Sequence, residues 1–400
     1  MTVHVIGAGV AGLAGALALP GRELRVWEAA PLAGGRCRAL ADGGDNGTHA
    51  LIGGNRAALA FLDAIGARQH WVEPEPDGLP VLDLADGVPR RVALSGLGWW
   101  RASRRPAGLD LGGVAALLRL LLPGPDRPVA DAFVAHPALL RGFVEPLTIA
   151  ALNTPAAEAS TRLLGAVLRG AATPATARLF VAAEGLGPGL VAPALAALAA
   201  RGVPVTFGAR LRGIESTDGR ATALVFAEDR IALSPTDAVL LALPPWEAQR
   251  LLPGLPAPQD HAPILNLHFA HGVPGPVRFL GLLGGLCQWV LVRPGGIAVT
   301  VSAADAETDQ PVETLAPRAW GEILRAVAAF GIPGEWPIKP PGCRAIKERR
   351  ATPRHRPGPR PLPPRKPLTN LALAGDWTDP DLPATIEAAV RSGQAAARTL

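Results

Sequence analysis

The sequence has 400 residues, of which 48% are hydrophobic and 18% charged, a composition that excludes a disordered chain. Its 46 glycines and 42 prolines follow no repeat, which excludes a collagen-like protein. The 39 basic and 34 acidic residues leave a net charge of +5 without any zinc-finger, RNP or helix-turn-helix pattern, so we expect no nucleic-acid partner.

The three cysteines, Cys37, Cys287 and Cys343, are widely spaced and include no CxxC pair. The sequence therefore predicts neither a disulfide framework nor a metal site, and a reducing compartment suits it. No apolar run reaches the roughly 18 residues that a membrane span needs. We expect a cytoplasmic protein, soluble or peripheral on the inner face of the cytoplasmic membrane.

A short apolar strand at the N-terminus is followed at once by a glycine-rich turn, Gly7-x-Gly9-x-x-Gly12. In such a turn the first glycine permits the strand-to-helix turn, the second admits a pyrophosphate, and the third allows close helix packing. A second predicted strand ends in Glu28, whose carboxylate suits ribose hydroxyls and repels a 2′-phosphate. The segment predicts a dinucleotide site that disfavours NADP and leaves both NAD and FAD open.

Two further motifs separate NAD from FAD. Gly34, Gly35 and Arg36 resemble the GGR motif of the amine-oxidase and phytoene-desaturase flavoproteins. The resemblance implies that these glycines admit the FAD pyrophosphate and that the arginine contacts it. Near the C-terminus, Gly375-Asp376 lies between a strand and a helix, where the resemblance implies contacts with the ribityl chain and phosphate. Together the motifs predict FAD as the cofactor.

The same resemblance implies a larger set of FAD contacts, some of them from the middle of the chain. There a helix and a strand are expected to return near the adenine, close to a usual backbone contact. The predicted FAD-binding residues are Gly7, Gly9, Ala11, Gly12, Glu28, Gly34, Gly35, Arg36, Gly47, Thr48, Leu211, Gly375, Asp376, Ala384 and Thr385.

The order of these motifs predicts an α/β protein, with a Rossmann-type FAD-binding domain of the GR2-like class and an inserted α+β substrate domain. Because cofactor contacts come from both ends of the chain, the FAD-binding domain must be discontinuous. We assign residues 1–70, 175–246 and 345–400 to it. Residues 71–174 and 247–344 are expected to form the substrate-binding domain that covers the flavin.

Several longer segments are more specific than the FAD motifs. They are DNGTHALIGGN (45–55), PLTIAALNTPAAEAS (146–160), QWVLVRPGG (288–296), TVSAAD (300–305), KERRAT (347–352) and LAGDWTDPDLPATIEAAVRSG (373–393). Together they resemble the bacterial hydroxysqualene dehydroxylases, also called squalene-associated FAD-dependent desaturases, over nearly the whole chain. The resemblance implies that hydroxysqualene loses its allylic hydroxyl and is reduced to squalene, on the route to hopanoids.

The implied reaction needs an acid, because hydroxide is a poor leaving group. We consider His49 first, since the resemblance implies a position beside the flavin ring and imidazole titrates near neutral pH. Asp305 and Glu145 lie beside apolar stretches, where desolvation raises the pKa of a carboxyl group. Lys347 falls where some amine oxidases place a lysine near flavin N5. A purely structural role stays open for each of the four.

A C30 isoprenoid substrate must be collected from a membrane. An apolar stretch follows a segment that combines interfacial tryptophans with arginines, namely Trp99, Trp100, Arg101, Arg104 and Arg105. This composition predicts peripheral membrane contact, with a buried helix behind a basic loop as the alternative. Residues 344–366, rich in arginine and proline, are expected to form an extended, solvated loop. The reductant that recycles the flavin is not identifiable from the sequence.

Two other kinds of function stay open. A carotenoid-type desaturase or an amine oxidase would share FAD and hydride transfer, although in a chain without tyrosine the aromatic pair typical of amine oxidases would have to be tryptophan or phenylalanine. A non-enzymic prenyl- or lipid-binding protein of the same fold, like the guanine-nucleotide dissociation inhibitors, would have lost FAD. The intact glycine and acidic motifs argue against that second alternative.

Overall fold

The computed structural model describes residues 1–40 and 44–400. In chain order the strands are β1 (Thr2–Ile6), β2 (Glu23–Trp27), β3 (Ala50–Ile52), β4 (Trp71–Val72), β5 (Leu79–Asp83), β6 (Pro89–Val92), β7 (Leu179–Ala182), β8 (Val205–Thr206), β9 (Gly213–Thr217), β10 (Arg220–Val225), β11 (Arg230–Ala232), β12 (Ala238–Leu241), β13 (His261–Phe269), β14 (Arg278–Leu283), β15 (Trp289–Arg293), β16 (Gly296–Ser302), β17 (Cys343–Pro353) and β18 (Leu371–Leu373).

The α-helices are α1 (Val10–Leu17), α2 (Arg56–Ala64), α3 (Leu111–Leu120), α4 (Val129–Ala132), α5 (Pro137–Leu139), α6 (Glu145–Leu152), α7 (Thr161–Gly170), α8 (Ala192–Ala200), α9 (Pro245–Leu251), α10 (Val312–Ala329) and α11 (Ile386–Thr399). Two π-helical turns, Leu140–Val144 and Gly187–Val191, run directly into α6 and α8. None of the helices in the described ranges is both long and apolar enough to cross a membrane.

A five-stranded parallel sheet of order β18-β12-β1-β2-β8 forms the first layer. Its central strand β1 is rich in β-branched residues and is buried on both faces, as parallel strands usually are. Val5 and Val26 are fully buried beneath helices α1, α8 and α11. The sheet brings the strands nearest the N-terminus and the C-terminus into one layer, as the prediction of a Rossmann-type α/β domain requires.

Helices α1 and α11, from opposite ends of the chain, pack closely because glycine lines their contact. A Cβ atom on Gly393 would lie 2.1 Å from the carbonyl oxygen of Ala11, and one on Gly15 would lie 3.1 Å from that of Gly393. No larger residue fits at Gly393 without separating the helices. This contact between α1 and α11 holds the Gly375-Asp376 motif close to the glycine-rich turn Gly7-x-Gly9-x-x-Gly12.

A seven-stranded sheet of order β17-β13-β16-β15-β14-β5-β6 forms the second layer, antiparallel except where β14 meets β5. Helix α10 covers one face, with Trp320 and Ile323 fully buried in the shared core. Helices α3 to α7 form a separate helical unit around Phe133 and Leu139. This sheet and the helical unit supply the α+β part of the fold.

Strand β17 corrects one expectation. It hydrogen-bonds along β13 in the large sheet, so the first half of residues 344–366 is an edge strand and not a solvated loop. The division of the chain into a cofactor domain and a substrate domain, with its boundary at residue 345, stays a prediction.

Candidate functional site

A cavity of about 460 Å³ lies between the parallel sheet and the large sheet, within the size range of small-molecule sites. Its wall takes residues from both ends of the chain and from the middle. The predicted FAD-binding residues at the wall are Gly7, Gly9, Ala11, Glu28, Gly34, Gly35, Arg36, Gly47, Thr48, Leu211, Gly375, Asp376, Ala384 and Thr385. Gly12 is the exception.

Gly12 lies outside the wall, in the close-packing position that the glycine-rich turn predicts. A Cβ atom there would lie 1.9 Å from the carbonyl oxygen of Gly7, in the turn that leads into α1. The lack of a side chain allows the turn and the helix to come together, and this in turn aims the first N–H groups of α1 at the cavity. The first turn of α1 has neither an acidic residue nor a side-chain cap, so these groups suit an anionic ligand.

Glycines form the floor of the cavity where the two N-terminal motifs meet. The Gly34 N–H donates to the carbonyl oxygen of Ala8 over 2.8 Å, and Gly9 and Gly34 form a parallel bridge. Gly34 has φ = 105°, in the left-handed region that favours glycine. An added Cβ on Gly9 would lie 4.0 Å from the Cα of Gly35 and would project into this floor. The backbone is therefore open to a pyrophosphate at this point.

Glu28 is held in place by the backbone beside that floor. Its carboxylate oxygens accept hydrogen bonds from the N–H groups of Ala8 at 2.7 Å and Ala30 at 2.8 Å. A carboxylate oxygen carries two lone-pair positions, so acceptor capacity remains for a ligand. This geometry suits the hydroxyl groups of a ribose.

Arg36 connects the Gly34-Gly35-Arg36 motif to the Gly375-Asp376 motif. Its guanidinium donates to the Asp376 carboxylate at 2.7 Å and to the carbonyl oxygen of Ala351 at 2.6 Å. Burial lowers the pKa of Arg36, but the adjacent Asp376 charge more than offsets this and raises it. Because both side chains lie at the cavity wall, the ion pair links the two termini at the site itself.

Two buried polar atoms at the wall have no hydrogen-bond partner among residues 1–40 and 44–400, which the structure describes. They are the side-chain oxygen atoms of Asn46 and Thr48, Oδ1 and Oγ1 respectively. A buried polar atom left without a partner costs about 1–3 kcal/mol, so this arrangement favours a ligand that supplies the missing bonds. Together with the glycine floor and Glu28, these atoms fit a polar, dinucleotide-containing cofactor.

Comparisons with known proteins agree with this geometry. The pattern of the flavin-containing amine oxidoreductases matches residues 10–274 and 345–400. The hydroxysqualene dehydroxylase of Rhodopseudomonas palustris is 40% identical over 99% of this chain and 97% of that protein. The hydroxysqualene dehydroxylase of Sinorhizobium fredii is 38% identical over the same shares. The chain belongs to the hydroxysqualene dehydroxylase family, within the flavin-containing amine oxidoreductases. It is an FAD-dependent oxidoreductase.

A solved structure supports the fold. An oxidoreductase from Methanosarcina mazei superposes with a TM-score of 0.74 at 16% identity, over 99% of each chain. The α/β fold and the FAD predicted from the sequence are thereby confirmed.

Of the four predicted catalytic residues, the structure brings His49 to the cavity wall of this oxidoreductase. Burial lowers the pKa of His49, while the charge of Asp45 and a hydrogen bond with the backbone of Arg36 raise it in part. Asp45 is itself fixed by Arg293 at 2.8 Å and by the N–H of Leu186 at 2.6 Å. The loop that carries His49 is thus anchored to the large sheet.

The predictions for Asp305 and Lys347 are corrected, because neither residue lies at the cavity wall. The Asp305 side chain is 55% exposed and pairs with Arg354, so it has neither the burial nor the isolation that the predicted acid requires. Lys347 is exposed, and its ammonium group donates to the carbonyl oxygen of Gln310 at 2.6 Å.

Glu145 has the chemistry expected of an acid but not the expected position. Burial raises the pKa of its carboxyl group, and a hydrogen bond from the Ala156 N–H at 3.1 Å partly opposes the shift. The residue begins α6 in the helical unit and is not part of the cavity wall. A catalytic role for Glu145 is therefore not supported by its location.

The two tryptophans predicted to contact a membrane differ in how far they are exposed. Trp99 is corrected to a packing residue: its ring meets Phe143 edge-on at 5.4 Å, and its indole N–H donates to the carbonyl oxygen of Ala93. Trp100 is 71% exposed, with the guanidinium of Arg101 at 4.9 Å from its ring centre. Trp100 is thus the more exposed tryptophan of the pair, while Trp99 is partly buried.

Arg104 and Arg105 are both partly engaged within the protein. Arg104 pairs with Asp77 at 3.4 Å. Arg105 donates to the carbonyl oxygen atoms of Trp99 and Trp100, and so fixes the shape of this loop.

Asn266 lies at the cavity wall and was not predicted. It is 2% exposed on β13, accepts a hydrogen bond from the Thr300 hydroxyl at 2.9 Å and approaches the backbone of Asn46. Its amide nitrogen would lie 3.1 Å from a Cβ on Gly47. In the sequence, Asn266 is the one polar residue in the apolar stretch ILNL (264–267), and this isolation was the signal that could have marked it.

His355 is a second residue that sequence reasoning missed. It is 3% exposed, and its Nε2 accepts a hydrogen bond at 3.0 Å from the N–H of Ala384, a residue of the cavity wall. Its backbone N–H donates to the Thr154 hydroxyl, and its carbonyl oxygen accepts from Ser160 in the helical unit. Burial and the charge of Arg360 lower the pKa of His355 to about 3. The ring is neutral and ties the helical unit to the loop before α11.

We predict that His355 makes the enzyme sensitive to acid. Below pH 6.5 the unfolded chain binds a proton at this residue while the folded protein does not, so the free energy of unfolding falls until about pH 3. At pH 5 the loss is about 2 kcal/mol for this one group. Melting temperatures measured between pH 7 and pH 5 should fall less steeply in His355→Gln than in the wild type.

The matched control for this prediction is His271→Gln, since the His271 ring is hydrogen-bonded at the surface to the carbonyl oxygen of Glu335. It should keep the wild-type slope. Equal slopes for His355→Gln and the wild type would contradict the prediction.

Proposed function

We propose that this oxidoreductase removes the allylic hydroxyl group of hydroxysqualene reductively and releases squalene, within hopanoid biosynthesis. The observation that carries the proposal is the similarity, over nearly the full length, to three proteins named hydroxysqualene dehydroxylase, at 34–40% identity. The cavity with its intact glycine floor and the Glu28 carboxylate supports an FAD-dependent reaction over a merely lipid-binding function.

The chemistry balances as the exchange of one hydroxyl for one hydrogen. The C–O bond breaks, the departing oxygen takes one proton and leaves as water, and the carbon takes a hydride. When bound, reduced FAD supplies that hydride. The protein must deliver the proton to the oxygen and keep bulk water away from the electron-poor carbon.

His49 is our proposal for the residue that delivers the proton. It lies at the cavity wall beside Thr48, and the anchored Asp45 stabilises the protonated imidazole electrostatically. The side-chain oxygen atoms of Thr48 and Asn46 at the same wall, without a partner among the described residues, can hold the cofactor or orient the hydroxyl group. The Arg36–Asp376 pair, Glu28 and the glycine floor would hold the cofactor.

We further propose that the substrate is collected at a membrane, with Trp100 and Arg101 as the contacts that the sequence suggested and the surface exposes. A C30 hydrocarbon chain has almost no solubility in water, so an enzyme that acts on it benefits from direct contact with the lipid.

A substrate panel tests the reaction and its alternatives. The purified enzyme is given hydroxysqualene under reducing conditions, a C30 or C40 polyene with an electron acceptor, and a primary amine with oxygen. We expect squalene from the first mixture alone. New double bonds in the polyene would support a desaturase, and aldehyde with peroxide would support an amine oxidase; either result without squalene would overturn the proposal.

A further inference from the structure

Exposed large hydrophobic side chains are concentrated in one part of the chain. Among the described residues that expose such side chains, six fall between residues 97 and 134, in the helical unit and the loop before it. They are Leu97, Trp100, Leu111, Leu118, Leu122 and Val134. A single exposed leucine needs no explanation, but a group of this size in one segment indicates contact with another apolar phase.

Helix α3 is apolar on two opposite sides. Gly113, Ala116, Leu117 and Leu120 face the core of the helical unit. On the other side Leu111 is 90% exposed, Leu118 is 55% exposed and Leu122, just past the helix end, is 66% exposed. At about 100° per residue these three side chains lie within roughly 40° of one another, so they form one stripe. A helix apolar on two sides is normally buried or lies at a membrane interface.

The charges around the stripe favour an anionic partner. Between residues 97 and 134 the chain has five arginines, at 101, 104, 105, 119 and 127, and three acidic residues, at 110, 126 and 131. Asp110 caps α3 by accepting a hydrogen bond from the Gly113 N–H at 2.6 Å, and Asp126 accepts from the Ser160 hydroxyl and the Arg162 N–H. Arg119, next to Leu118 in the sequence, and Arg101 are exposed. Arginines around an apolar helical stripe are typical of segments that bind anionic lipid surfaces.

We propose that this surface, the α3 face, docks the enzyme on an anionic lipid bilayer. The α3 face comprises Leu97, Trp100, Leu111, Leu118, Leu122 and Val134 with the flanking arginines. The apolar side chains enter the acyl-chain boundary while the arginines stay at the headgroups, as their long side chains permit. The purpose of docking, which is uptake of an insoluble isoprenoid, rests on the proposed function. The proposal that the α3 face binds lipid does not depend on that function.

Vesicle flotation tests the proposal. The FAD-loaded enzyme is floated with vesicles of phosphatidylcholine and phosphatidylglycerol, and with vesicles of phosphatidylcholine alone. We expect binding to the mixed vesicles that weakens without the anionic lipid and at high salt. The combined variant Leu111→Ser, Leu118→Ser, Leu122→Ser should bind at least about tenfold more weakly, because three leucines no longer leave water.

The matched control is Ile338→Ser, since Ile338 is also 90% exposed but lies outside the α3 face. It should bind like the wild type, and both variants should keep the flavin spectrum and melting temperature of the wild type. If the triple variant loses its fold, Leu111→Ser alone serves, with a smaller expected loss. Wild-type binding by the triple variant, or no wild-type binding to any vesicle, would overturn the proposal.

Two further outcomes separate this proposal from its competitors. A wild-type dimer in sedimentation that becomes a monomer in the triple variant, without vesicle binding, would make the α3 face a contact between two copies of this chain and overturn lipid docking. Turnover of hydroxysqualene in detergent micelles tests the reaction independently. Vesicle binding without turnover in micelles would support lipid docking by the α3 face and contradict the proposed reaction. Turnover in micelles without vesicle binding would support the proposed reaction and contradict lipid docking.

Discussion

Arg36→Met is expected to purify with little or no bound flavin and to melt at a lower temperature than the wild type. The substitution leaves the Asp376 carboxylate, whose side chain is 8% exposed, without the guanidinium that neutralises it. Breaking a fully buried pair costs about 3–5 kcal/mol; since the Arg36 side chain is 34% exposed, we expect about 2–3 kcal/mol. The same side chain faces the cavity, so cofactor affinity should fall at least about tenfold.

The absorbance ratio of flavin to protein and a melting curve measure both effects. Arg36→Lys should be intermediate, because a lysine keeps the charge but cannot bond Asp376 and Ala351 with one planar group. Arg25→Met is the control, since Arg25 pairs with Glu23 on the exposed face of the same sheet. A variant Arg36→Met with full flavin content and wild-type melting would contradict the account of this pair.

His49→Gln is expected to keep its flavin and lose about 10²–10⁴-fold in kcat, the usual contribution of a general acid. Burial lowers the pKa of His49, so imidazolium is scarce at pH 7 and becomes more abundant as the pH falls. The wild-type rate should therefore rise as the pH falls from 7 toward the pKa of His49. The rate of His49→Gln should lack this rise.

Asp305→Asn and Lys347→Met are the matched comparisons, because both side chains lie outside the cavity wall. Their kcat values should stay within about twofold of the wild type. A pH-independent wild-type rate, or a His49→Gln variant with nearly full activity, would contradict a role for His49 in proton delivery.

The residues of the cavity wall were predictable because they act through local backbone requirements. Gly34 must adopt a positive φ, and Gly9 must leave the backbone bare; both needs are visible as glycines at fixed spacing after a strand. Glu28 follows a recognisable strand in the same way. The structure brings nearly all of these residues to one cavity wall, as expected from motifs that each describe one stretch of backbone.

Residues whose surroundings depend on distant chain segments were harder to predict. Asp305 looked like a carboxylate in an apolar context, but Arg354, 49 positions along the chain, meets it at the surface. β17 carries too many arginines to suggest a strand, yet β13 supplies its hydrogen bonds, and an edge strand tolerates charge. His355 could not be singled out, because its contacts come from Thr154 and Ala384 in separate parts of the fold.

A single turnover of the photoreduced enzyme tests the central claim most directly. The FAD-loaded protein is reduced anaerobically with light, the excess reductant is removed, and one equivalent of hydroxysqualene in detergent is added. We predict that the flavin absorbance returns as squalene forms, one squalene for each flavin reoxidised. Flavin that stays reduced while hydroxysqualene is recovered unchanged would contradict the claim that this cavity catalyses a reductive dehydroxylation.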